Sequence, residues 1–191
     1  MRKVALVFLF IGCGVRARRC RANIAQAAEM ESAHPMLGVD ILGGKLEMAK
    51  RLGTKHALNS TNVEDSSAEI PKLVGAGGAD VVIDTTGNKC LSEQPYYLTH
   101  ADGKTNLVGV PKKVDTISIY SLLRHLKKIL TGFHVGSAEP YLNISRYILF
   151  LQAGKYKLDA LVTHECKVDH IKKAIAVVWR GDEGRVLVAM E

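Results

Sequence analysis

Apolar residues in this chain fall into two patterns. Short unbroken runs of aliphatic and β-branched residues alternate with longer stretches in which apolar positions recur every three or four residues. The runs predict strands buried on both faces, and the recurrences predict amphipathic helices. Val4 to Ile11 reads as the first strand, and Val15 to Ser32 as a helix with Ala17, Cys20, Ile24, Ala27 and Ala28 on one side. Met36 to Val39 is a strand closing on Asp40, Leu46 to Leu52 a helix stopped by Gly53, and Ala57 to Asn59 a short strand. A helix over Val63 to Val74 and a glycine turn, 75–78, lead to the strand Ala79 to Ile83, closed by Asp84. Then come a helix from Cys90 to Thr99, a turn at 101–103 and a strand from Thr105 to Val110. Ile117 to Tyr120 and Leu130 to Val135 read as further strands around a helix from Ser121, its expected N-cap, to Leu130. Ile144 to Ala153 is helical, and from Leu161 a strand, a helix (Val168 to Arg180) and a strand (Val186 to Met190) close the chain.

Strands alternating with helices imply βαβ units. The expected fold class is α/β, a Rossmann-type doubly wound parallel sheet with a short C-terminal tail. The expected division is a dinucleotide-binding domain over 1–157 and a strand-helix-strand tail over 158–191.

The 191 residues are 47% hydrophobic, too apolar for a disordered chain. No apolar run is long enough to cross a membrane, so a membrane partner is not expected. Met1-Arg2-Lys3 followed by VALVFLFI and Gly12-Cys13 also has the outline of a lipoprotein signal. The strand reading is preferred, because removing this segment would remove the first strand of the repeating unit. The four cysteines (13, 20, 90 and 166) and seven histidines are dispersed, which suits a reducing cytoplasm and offers no metal-ligand cluster.

The net charge of +7 raises the question of nucleic acid. Part of the excess lies in Arg16, Arg18, Arg19 and Arg21, with no aromatic platform beside them, and a nucleic-acid partner is not expected.

The chemistry centres on Gly12-Cys13-Gly14-Val15-Arg16-Ala17, a G-x-G-x-x-A between a predicted strand and helix. Gly12 permits the tight turn, and Gly14 lets the backbone approach a pyrophosphate at the helix N-terminus. Asp40, ending the second strand, suits the two ribose hydroxyls of NAD and repels a 2′-phosphate. Lys45 stands where it could lean on the adenosine edge. Asp40 follows Gly12 by 28 residues, longer than usual for this fingerprint, which an extra helical turn would absorb.

From residue 33 onward the chain resembles the medium-chain, zinc-dependent alcohol dehydrogenases. The resemblance is carried by SAHPMLGVDILGGKLEMAKRLGTKHALNS (32–60), GGADVVIDTTGN (77–88), ADGKTNLVGVPKK (101–113), ILTGFHVGSAEP (129–140), LDALVTHECKVDHIKKAI (158–175) and RGDEGRVLVAM (180–190). It implies NAD as cofactor and a role for Asp40 and Lys45 at its ribose. It also implies roles for Thr85, Thr86 and Gly87 on the adenine side, for the backbone of Val108, Gly109 and Val110 at the nicotinamide amide, and for Arg185 at a cofactor phosphate. Residues 13–32 depart from the family's small, apolar pattern. The family's amino-terminal catalytic domain, with its zinc ligands, has no counterpart here. The resemblance therefore implies a truncated coenzyme-binding portion that binds NAD(H), carries no catalytic or metal-ligating residue, and acts on a small alcohol or aldehyde only when a catalytic domain is supplied. The alternatives are a non-catalytic dinucleotide-binding module and an adenosylmethionine-dependent methyltransferase. A homo-oligomer through exposed edge strands is a further expectation.

Overall fold

The computed structural model describes residues 6–9, 21–62, 66–75, 77–133, 135–180 and 184–190. They fall into two compact units, residues 1–136 and 137–191.

The first unit is built on six parallel strands: β1 (Leu6–Leu9), β2 (Met36–Asp40), β3 (His56–Asn59), β4 (Ala79–Asp84), β5 (Thr99–Leu107) and β6 (Ile129–Gly132). Their order is β3-β2-β1-β4-β5-β6. The first three strands step one way across the sheet and the last three step the other way. The direction reverses between β1 and β4, where such sheets open a crevice at their carboxyl edge. The register puts Leu9 beside both Val39 and Asp84, and Asp84 beside Leu107, so the ends of β1, β2, β4 and β5 lie along one edge. The stretch read as the first strand thus contributes Leu6–Leu9 to the sheet interior.

Helices α1 (Arg21–Met30), α2 (Gly43–Arg51), α3 (Ser66–Val74), α4 (Lys89–Ser92), α5 (Gln94–Leu98) and α6 (Ser121–His125) connect the strands. Alternating residues of the strands feed two apolar cores. Leu37, Val39 and Val82 pack with Ile70 of α3 and with Leu98. Met36 packs with Ala28 of α1, against Ile24, Ala33, Val81 and Ile83. At about 25 cal/mol per Å² of apolar area removed from water, each fully buried aliphatic side chain contributes about 2 kcal/mol before entropy is charged against it.

The second unit contains α7 (Pro140–Gln152) and a parallel pair, β7 (Val162–Lys167) and β8 (Arg185–Ala189), joined through α8 (Ile171–Arg180). By this division α7 groups with the C-terminal strands, ahead of the expected boundary at 157.

Several expected elements differ. Ile117 to Tyr120 forms no strand. Its residues alternate in exposure, but the Ser118 amide donates to the Glu93 carboxylate at 2.8 Å instead of to a neighbouring strand. Ser121 does not cap α6 but opens it as its first residue, while Tyr120 occupies the cap without a side-chain bond. The helix expected to reach Leu130 ends at His125, where Lys127 turns the chain with φ 78°. The turn expected at 101–103 lies inside β5, whose register with β4 shifts between Ala79 and Val81 and absorbs the irregularity. The helix expected from Cys90 to Thr99 is split at Glu93, ahead of Pro95 in the first turn of α5. Pro140 starts α7 four residues earlier than expected, at a position where its missing N–H costs nothing.

Candidate functional site

The carboxyl edge gathers most of the residues singled out from sequence. Asp40, at the tip of β2, is fully buried. Its Oδ1 accepts the Leu42 N–H at 3.0 Å, and its carbonyl accepts the Ser60 N–H at 3.1 Å. The first contact is a turn formed by the side chain two residues ahead of the backbone it binds. It holds the carboxylate at the entrance to α2. That helix opens on Gly43 and Gly44, and a Cβ added at either would meet nothing within 4 Å. Lys45 is buried in its first turn. Asp40 and Lys45 thus share one corner of the sheet.

A second group lies across the switch point, at the ends of β4 and β5. Asp84 is 1% exposed. Its Oδ1 accepts the Thr86 N–H at 2.7 Å, and its Oδ2 accepts the Ser92 hydroxyl at 2.7 Å. The chain then folds on itself. Thr86 Oγ1 accepts the Asn88 N–H at 3.1 Å, and Asn88 Oδ1 accepts the Cys90 N–H at 3.1 Å, which caps α4. Thr85 is fully buried and Thr86 nearly so.

Beyond β5, the amides of Val108 and Gly109 both donate to the Asp84 carbonyl, at 2.8 and 3.1 Å. The two loops meet backbone to backbone. Gly87 holds φ 61°, and a Cβ there would lie 2.6 Å from the Val110 carbonyl oxygen. A Cβ on Gly109 would lie 2.7 Å from the carbonyl carbons of both Thr85 and Thr86. Only glycine allows the approach. Val110 stands 73% exposed at the end of its loop.

Gly12 and Gly14 are outside the described residues. Arg185 belongs to the second unit, exposed at the start of β8 opposite Val162. It stands within electrostatic reach of Tyr156, whose phenol is pushed up by burial and drawn back by the Arg185 charge. The sequence reading missed Asp84 as an organiser. Its signal was available: an acidic residue closing an otherwise apolar strand, ADVVID, ahead of two threonines.

An open apolar hollow of about 430 Å³ lies beneath α1, lined by Ile24, Ala27, Val81 and Ile83. Its lining comes from a sheet face and not from the carboxyl edge. Among the described residues, no three His, Cys, Asp or Glu side chains come together as a metal site, so these residues do not fit zinc. Among the described residues, no helix is long and apolar enough to cross a membrane.

The sequence profile of the family described as zinc-binding dehydrogenase matches residues 22–149. The chain belongs to the zinc-binding dehydrogenase family. That membership favours the dehydrogenase expectation over the methyltransferase alternative. The chain is 27% identical over 190 residues to S-(hydroxymethyl)glutathione dehydrogenase of Paracoccus denitrificans, covering 96% of this chain and 49% of that protein. It is 25% identical over 168 residues to alcohol dehydrogenase 1 of Trifolium repens, covering 87% of this chain and 44% of that one. Among solved structures, benzyl alcohol dehydrogenase from Acinetobacter calcoaceticus superposes with a TM-score of 0.84 at 26% identity, over 99% of this chain and 50% of its own. The chain therefore spans about half the length of the curated relatives it matches. These neighbours bear out the α/β, Rossmann-type fold class.

Proposed function

We propose that this zinc-binding dehydrogenase chain is the NAD(H)-binding portion of an alcohol dehydrogenase, a portion that takes part in hydride transfer between a small alcohol or aldehyde and NAD. The observation that carries this reading is the fully buried Asp40 carboxylate at the carboxyl end of β2, beside the switch point of the sheet. A carboxylate is an acceptor only, and a ribose diol offers two donors, so the chemistry of this corner fits an adenosine ribose. A 2′-phosphate would bring negative charge against Asp40, which favours NAD over NADP.

In this reading Lys45 lies along the adenosine edge, the loop 85–87 covers the adenine side, and the backbone of 108–110 meets the nicotinamide amide. Gly12 and Gly14 approach the pyrophosphate, and Arg185 contributes a cation to a phosphate. When bound, the nicotinamide supplies the hydride-accepting ring. This chain's own residues bind and orient that cofactor. Polarising the alcohol oxygen is assigned to none of them, and the described residues give zinc no step. The chain is accordingly expected to bind NAD(H) and to oxidise no alcohol without a catalytic domain.

Titration calorimetry of the full chain with NADH, NADPH and adenosylmethionine tests the proposal. NADH is expected to bind more tightly than NADPH, and adenosylmethionine not at all. Asp40→Ala should weaken NADH by about tenfold to a hundredfold, as expected for hydrogen bonds to a charged acceptor, and should narrow the gap to NADPH. Equal binding of NADH by the variant and the parent would overturn the assignment of Asp40. Failure of the parent to bind NADH at all would overturn the proposed function.

A further inference from the structure

We infer that Asp84 is a positioning residue for the dinucleotide site, clamping the loop after β4 to the loop after β5 and so setting the spacing of the backbone groups that face the cofactor. The inference rests on the function proposed above.

Asp84 works in two directions at once. Through its side chain it grips its own loop and α4, with Oδ1 on the Thr86 N–H and Oδ2 on the Ser92 hydroxyl, each at 2.7 Å. These are short bonds to a buried carboxylate, the charge-assisted kind that resists distortion. Through its carbonyl it holds the neighbouring loop. The Val108 amide continues the β4–β5 ladder, and the Gly109 amide adds a second donor at 3.1 Å. One residue thus fixes both sides of the seam between 85–87 and 108–110.

The seam tolerates little movement. Gly87 and Gly109 touch the facing backbone so closely that a single added carbon on either collides with main-chain atoms. A shift of Thr86 and Gly87 therefore passes directly into Val108, Gly109 and Val110, because main chain meets main chain with no flexible side chain between to absorb it.

In the parent chain both side-chain oxygens of Asp84 act as acceptors. In Asp84→Asn the amide oxygen can still accept the Thr86 N–H. The amide nitrogen must then donate to Ser92 Oγ. Ser92 can accept that bond by turning its one hydroxyl proton from residue 84 to the Asn88 carbonyl, which lies 2.9 Å away. The variant is therefore expected to fold, with the charge assistance lost and the seam loosened. Ser92→Ala removes one arm and leaves Asp84 charged, whereas Ser92→Thr keeps the hydroxyl.

The test measures amide hydrogen exchange and NADH affinity on the full chain. In Asp84→Asn and Ser92→Ala, exchange at Thr86, Val108 and Gly109 should quicken by about tenfold relative to the core amide of Val39, with NADH binding weakened by a similar factor, the size expected for one charge-assisted bond. Ser92→Thr should restore both. Quickening spread evenly over the sheet would overturn the clamp, because it signals lost stability and not a local seam. Quicker exchange at the three amides with unchanged NADH affinity would overturn the positioning role. A parent chain that binds no NADH sinks the proposed function and the positioning role with it, whereas the clamp itself stands or falls on the exchange pattern.

Discussion

Gly109→Ala is the most demanding test of the site geometry. Gly109 is buried and its φ lies outside the left-handed region, so alanine meets no backbone penalty there and the whole cost is steric. The new methyl would stand 2.7 Å from two carbonyl carbons, Thr85 and Thr86, and closer still to the Gly87 nitrogen. Ordinary contact begins at 3.4 Å. All three neighbours are main chain, so the loops have to separate by more than an ångström at the Gly87 nitrogen to restore ordinary contact. That separation stretches the Val108 and Gly109 bonds to the Asp84 carbonyl. Over-packing of a tight site costs about 1–3 kcal/mol, and a weakened backbone hydrogen bond adds about 1 kcal/mol. The sum, about 3 kcal/mol, corresponds to a fall in Tm of about 10 °C for a chain of this size. Thermal and urea unfolding of the full chain measure it. Gly44→Ala is the internal control: its methyl enters open space inside a helix and should stabilise by about 0.5–1 kcal/mol. Stability of Gly109→Ala within about 0.5 kcal/mol of the parent, the range of an ordinary surface change, would refute the backbone-to-backbone seam.

Two other outcomes follow from local geometry. Lys127, at φ 78°, closes α6 by donating to the Arg124 carbonyl, while Lys128 donates to that of Leu123. Glycine fills the equivalent place after α2 and α7, at Gly53 and Gly154, so Lys127→Gly should raise stability by about 0.5–1 kcal/mol in urea titration. Lys128 is buried against Tyr96, donating to its carbonyl and lying 4.8 Å from its ring centroid, and burial lowers its pKa. The unfolded chain therefore binds the extra proton more readily, and stability should rise as pH climbs through the lowered value toward the ordinary lysine range. Lys128→Met should flatten that rise in unfolding curves taken from pH 7 upward, and an unchanged slope would remove Lys128 as its source. Tyr96 acts oppositely at the alkaline end: burial raises its phenol, so stability falls once the unfolded tyrosine ionises.

Much of the architecture was legible in the chain. MLGVD and ADVVID announce strands buried on both faces, because a parallel sheet covered by helices needs apolar residues at every position. The acidic residues closing both runs mark the carboxyl edge, and the glycines of TTGN and VGVP mark the close approach there. Other features were not legible, for physical reasons. The alternation over Ile117 to Tyr120 is a valid strand signal, but a strand also needs a neighbour, and local sequence does not say whether one is in reach. The turn residues Asp102 and Gly103 were absorbed by a shift in strand register. The role of Asp84 depends on Ser92 and on two amides from beyond β5, separated in sequence by most of the βαβ unit.

The sequence by itself determined the alternation of strand and helix, the parallel class of the sheet and the kinds of residue that would stand at its ends. These are local consequences of side-chain period and backbone preference. Only the tertiary structure decided which strand ends meet. The order β3-β2-β1-β4-β5-β6 puts Asp40 on one side of β1 and Asp84 on the other, and brings Gly109 onto the backbone of Thr85 and Gly87. Those juxtapositions depend on contacts between distant segments, which packing selects and no short window of residues encodes.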